Sequence, residues 1–144
     1  MSEALEYFRI FEGELLPDIS AFRPFRATIV IDAPYSPEWQ DQISDWLVAS
    51  GCLFMLAWGP DCATWDESVD YASLRAFDFG EIPEDRWVYT TWHEDQSLRE
   101  VFHEAQFIGD HEKVELRFSL IIHIGMGSRR SEFLELWEVA RNES

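Results

Sequence analysis

The chain has 144 residues, of which 47% are hydrophobic and 15% aromatic, enough to bury a core and too apolar for a disordered acidic tail. Its formal net charge of −17 disfavours direct binding to nucleic acid or to an anionic membrane surface, since both would repel it. No apolar run reaches the roughly eighteen residues a bilayer-spanning helix needs, and MSEALEYFRIFEGELL has no basic, apolar and small-residue segments of a signal peptide, so a cytoplasmic protein is expected.

Residues 1–26 contain Pro17 and Pro24 and no clean period. They read as an N-terminal arm, with at most a short helix, packed on a single α/β domain through Phe8, Phe11, Leu15, Leu16, Phe22 and Phe25. ATIVID (27–32) is a short β-branched run, the mark of a buried first strand. Ser36 then Pro37 reads as an N-cap followed by proline at the first helical position. The helix runs to about Ala49, with Trp39, Ile43, Trp46 and Leu47 on one face, and stops at Gly51. CLFMLAW (52–58) is a second buried strand, ended by Gly59-Pro60.

A helix follows from about Thr64 to Phe77, with Trp65, Val69, Ala72 and Ala76 at helical spacing; Thr64-Trp65-Asp66-Glu67 has the pattern of a capping box. RWVYTTW (86–92) is a third strand. Ser97 to Glu100 forms a second capping-box pattern, opening a helix to about Phe107. VELRFSLIIHI (114–124) is the fourth strand, and Gly125-Met126-Gly127-Ser128 turns into a last helix bearing Phe133, Leu136, Trp137 and Ala140.

Alternating strands and helices of this length imply a mainly parallel sheet with helices on both faces. The expected fold is a small three-layer α/β sandwich with four strands in the order 2-1-3-4. Ligands in such folds sit beyond the carboxyl ends of the strands, where the strand order reverses. That rule selects Asp32 to Tyr35, Gly59 to Cys62, His93 to Asp95 and Gly125 to Ser128. In this order Asp32 faces Trp92 and His93, with Cys62 one strand away.

Three chemistries fit parts of this set. Cys62, near a helix start, could act as a nucleophile with His93 as its base and Asp32 orienting the histidine. Against this, a lone cysteine and histidine are a weak signature, and Asp61, Asp66 and Glu67 disfavour a thiolate. Asp61, Asp66 and Asp70 could hold a cation, but no metal-ligand spacing accompanies them, and early acids are ordinary in a helix. No metal and no cofactor are therefore expected. HIGMGSRR (123–130) could cradle an anion, but it is neither a dinucleotide fingerprint nor a P-loop. Cys52 and Cys62 flank one strand, roughly 30 Å apart at about 3.3 Å per residue, so they read as two free thiols of a reducing compartment. Trp39, Trp46, Trp65 and Trp137 read as core; Trp58 and Trp92, at strand ends, read as crevice walls.

The stretches AWGPDCATWDESVD (57–70) and TTWHED (90–95), with LIIHI (120–124), resemble a family of small bacterial proteins catalogued only as a domain of unknown function. The similarity runs from about Leu15 to Ile124. It implies a bacterial cytosolic setting and a shared site at Trp58, Gly59, Asp61, Cys62, Trp65, Asp66, Asp70, Thr91, Trp92, His93 and Glu94, and it implies no particular activity.

Two functions follow. The first is an acidic binding or inhibitor protein, such as an immunity-type protein, that recognises a basic protein partner through Trp58, Asp61, Asp66, Asp70, Trp92, His93 and Glu94. The second is a small enzyme or ligand-binding domain using a crevice of Asp32, Asp61, Cys62, Trp92 and His93. The charge favours the first.

Overall fold

The structure is a computed structural model that describes residues 4–142. Three apolar runs, FRATIVI, CLFMLAW and FSLIIHI, form the inner strands of a parallel sheet. In chain order the elements are β1 (Ala4–Ile10), β2 (Phe25–Ile31), α1 (Pro37–Ser50), β3 (Cys52–Trp58), α2 (Thr64–Ala76), β4 (Tyr89–His93), α3 (Leu98–Phe107), β5 (Phe118–Ile124) and α4 (Arg130–Arg141).

The sheet has five strands in the order β1-β5-β2-β3-β4, and each neighbouring pair is parallel. This corrects the expected four-stranded order 2-1-3-4 in two ways. Residues 4–10 are not an arm: they pair with β5 from Ala4 opposite Phe118 to Ile10 opposite Ile124. Among the four expected strands, the fourth lies beside the first, and the third lies at the far edge beside the second.

Burial explains both. Leu120, Ile121 and Ile122 of β5 are wholly buried, so β5 needs a neighbour on each side. β4 is short and half-exposed, which suits an edge. Within β1 only Tyr7 and Ile10 are buried, and their spacing of three hides the two-residue period of a strand.

Consecutive crossovers from β2 through β3 to β4 step one way, and the connection through α3 returns to β5 on the other side. α1 therefore packs with α2, and α3 with α4, each pair covering one face. α3 and α4 both start at the carboxyl edge and run toward the amino edge, where Arg141 donates to Gln106.

Local signals set the helix starts. The Ser36 hydroxyl accepts from Trp39 N–H at 3.2 Å, and Ser97 and Glu100 form the reciprocal capping box. The box expected at Thr64 to Glu67 is not formed. Ala63 takes the cap position with no side-chain bond, and the Thr64 hydroxyl donates backward to the Asp61 carbonyl. Asp61 itself is left-handed (φ 58), so the turn fixes this helix start instead of a cap.

The core contains Trp39, Trp65 and Trp137 as expected, and Trp46 is partly buried. Of the apolar residues assigned to the arm, Phe8, Leu16 and Phe22 pack on that core, Phe25 begins β2, and Leu15 is fully exposed. No helix among the described residues is long and apolar enough to cross a membrane.

Candidate functional site

With β5 beside β2, the strand order reverses between these two strands. The chain leaves β2 toward one face and β5 toward the other, so a crevice opens at the carboxyl edge. A cleft of about 790 Å³ lies there, with Asp32, Tyr35, Trp58, Asp61 and Arg129 in its walls.

The residues around Asp32 come from three elements. Tyr7 on β1 places its hydroxyl 2.6 Å from His123 Nδ1, and the backbone N–H of Arg129 donates to that same hydroxyl at 3.0 Å. The charged Asp32 carboxylate at Nε2 can only accept, and burial favours a neutral ring, so Nδ1 is the acceptor: the phenol donates its one proton there and accepts from Arg129. Nδ1 is therefore unprotonated. The other ring nitrogen, Nε2, carries hydrogen and donates to Asp32 Oδ2 at 3.0 Å. The Arg129 guanidinium donates to the same oxygen at 3.1 Å, also bonds Glu132, and lies 4.8 Å over the Phe133 ring.

The electrostatics follow from this arrangement. The His123 hydrogen bond is the main cause that holds the Asp32 carboxyl below the usual carboxylate range, against some desolvation and with help from Arg129. His123 is wholly buried, and that burial pushes its pKa down despite the Asp32 carboxylate. Buried neutral imidazole and charged carboxylate are thus the resting pair.

Glycine permits two close approaches at this edge, one against His123 and one against the end of β2. A Cβ on Gly125 would lie 2.5 Å from His123 Nε2. At Gly59 it would lie 2.6 Å from the Ile31 carbonyl oxygen, at a φ of +118°. Arg9 fastens the turn after β5 by donating to the Gly125 carbonyl at 2.9 Å.

The candidates chosen from sequence fall into five places, His93 being the fifth. Asp32, Trp58 and Asp61 line the cleft. Cys62 is buried in the core beneath the turn. Asp66 and Asp70 lie on α2 against β4, where both contact the Thr90 hydroxyl; burial and the neighbouring Asp66 charge raise the Asp70 pKa. Trp92 and Glu94 are exposed at and just beyond the end of β4.

The expected facing of Asp32 with Trp92 and His93 is replaced by Asp32 with His123 and Arg129. His93 is buried; it bonds Thr91 at 2.9 Å and Gln96 at 2.7 Å, and lies 3.4 Å from Glu104. Its bonded partners include neither Cys62 nor Asp32. The cluster reaches the cleft indirectly, because the Gln96 carbonyl accepts the Trp58 indole N–H at 2.7 Å and so fixes the orientation of that ring.

Cys52 and Cys62 are both free and buried, and burial pushes the Cys52 thiol up to about 12. Among the described residues no group of three or more His, Cys, Asp or Glu could hold a metal ion. A second cavity of about 320 Å³ opens at the amino edge beside Arg23 and Asp85, away from the place where the crossovers part.

Sequence reasoning missed Tyr7, Gln40 and His123 as site residues. For His123 a signal existed: an imidazole inside LIIHI, an otherwise apolar buried strand, needs polar partners. Tyr7 and Gln40 carried none, since their contacts depend on strand order and on helix packing.

Fold and site together define a doubly wound parallel α/β domain with a cleft at its switch point. The family model described as Domain of unknown function (DUF7684) matches residues 5–140, and the chain belongs to that family. No curated protein and no solved structure matches the chain.

Proposed function

We propose that this is a small-ligand-binding domain whose site is the cleft at the carboxyl edge. The observation that carries the reading is that Asp32, in the wall of a cleft of about 790 Å³, is held charged by His123 and Arg129 at the reversal of strand order. A charged group fixed by packed partners is what ligand orientation requires. The Tyr7–His123–Asp32 series would also serve proton transfer to a bound substrate, which keeps a small enzyme within this reading.

The test is a thermal-shift screen of small metabolites against the wild type, Asp32→Ala and Trp58→Leu. Ligands of this site raise the wild-type Tm and lose at least half of that shift in the variants. Hits that stabilise all three proteins equally would remove the cleft from consideration.

The charge of −17 favours a second reading, an acidic binder or immunity-type inhibitor of a basic protein, with association that weakens steeply with salt. A low-salt pull-down from the host lysate followed by a 0.5 M wash, an ionic strength at which roughly Å-scale screening takes over, tests it: one basic protein released by the wash supports this reading, and none counts against it. Both readings take a bacterial cytoplasmic setting, in keeping with two unpaired thiols.

A further inference from the structure

We infer that the cleft takes an organic cation, a primary ammonium or guanidinium carried on an apolar body. The inference rests on the cleft reading and deepens it.

The cleft offers acceptors. Both donors to Asp32 use Oδ2, and no described residue donates to Oδ1 or to the Asp61 carboxylate. Gln40 adds a third acceptor. The Thr64 hydroxyl gives its only proton to the Asp61 carbonyl at 2.8 Å, so it must accept from Gln40 Nε2, also at 2.8 Å. That fixes the amide orientation and turns Oε1 the other way. Gln40 is only 9% exposed and lines the cleft, and no described residue donates to its Oε1.

Apart from the Tyr35 hydroxyl proton and the Arg129 N–H groups not spent on Asp32 and Glu132, the usual seats for an anion are absent or filled. Pro34, Pro37 and Pro60 line the cleft and have no N–H. At the start of α1, the Ser36 N–H goes to Glu12 at 2.8 Å and the Trp39 N–H to the Ser36 hydroxyl, so the usual anion seat at a helix start is occupied. Arg129 is shared between Asp32 and Glu132. The Trp58 N–H is bonded to Gln96, leaving the Trp58 ring in the cleft wall for apolar and cation–π contact. The net charge of the chain steers cations toward the site and anions away from it.

The test uses three probes with one shared body: 3-phenylpropylammonium, 3-phenylpropan-1-ol and 3-phenylpropionate. Binding at pH 7 is measured by calorimetry and by the shift of the Trp58 indole N–H resonance, assigned with Trp58→Phe. The ammonium is expected to move that resonance and to bind about tenfold or more tightly than the alcohol, with the carboxylate weakest. Asp32→Asn and Asp61→Asn should each weaken the ammonium about tenfold and the alcohol by less, with a cooperative urea transition showing that the variants are folded. If the carboxylate or the alcohol moves the Trp58 resonance at least as readily as the ammonium, or if both Asn variants keep the full ammonium affinity, the cation is wrong and the cleft stands. If no probe moves the resonance, both are overturned.

Discussion

Asp32 gives one carboxylate oxygen to two donors, and no described residue donates to the other. The arrangement depends on Tyr7, whose hydroxyl satisfies both a ring nitrogen and a backbone N–H. Tyr7→Phe leaves both groups without that partner, and the expected loss is about 1–3 kcal/mol of stability, read as a lower urea midpoint. His123 adds a pH dependence. Burial holds its pKa below the ordinary value, so the unfolded chain takes up this proton first. Stability tied to neutral His123 is complete above the unfolded value of about 6.5 and is lost as pH falls toward the folded value. Asp32, also held low, adds a second loss below about 3.9. The wild type should therefore lose more stability than His123→Gln between pH 7.5 and 5.5, a comparison in which general relief of negative charge cancels. Equal losses in the two proteins would contradict the neutral-imidazole assignment. Asp32 was readable from sequence, because a strand-end position depends only on local pattern. Its partners were not, because His123 and Arg129 are more than ninety residues away and meet it only in the actual strand order.

Among the elements, those with short-range signals are where the sequence places them. CLFMLAW is β3 without adjustment, and Ser36-Pro37 and Gly51 bound α1. Ser97→Ala removes one half of the capping box at α3 and should cost about 1 kcal/mol, measured by urea unfolding. The start of α2 shows the limit of such signals. Thr64 and Glu67 have the spacing of a box, but a tight turn with Asp61 in the left-handed region precedes them and uses the threonine differently. That turn begins at Gly59, where a side chain would collide with the Ile31 carbonyl. Gly59→Ala combines this clash with a strained φ, so a loss above about 1 kcal/mol is expected, together with weaker binding of any cleft ligand. Full ligand affinity in a folded Gly59→Ala protein would show that the turn does not shape the site. β1 was unreadable for a related reason: an edge strand buries too few side chains to show its period.

For the whole molecule, the net charge of −17 is a standing self-repulsion that added salt screens. Tm should rise between 10 mM and 500 mM sodium chloride, and a flat or falling Tm would mean that local ion pairs such as Asp32–Arg129 outweigh the general field. The parallel sheet has a further consequence. β1 enters at the amino edge, and α4 ends there beside Gln106, so both described ends of the chain lie across the molecule from the cleft. A protein tethered to a sensor surface or a bead through either end would present its cleft to the solution, and a tether that abolished ligand capture would indicate blockage by something other than its attachment point.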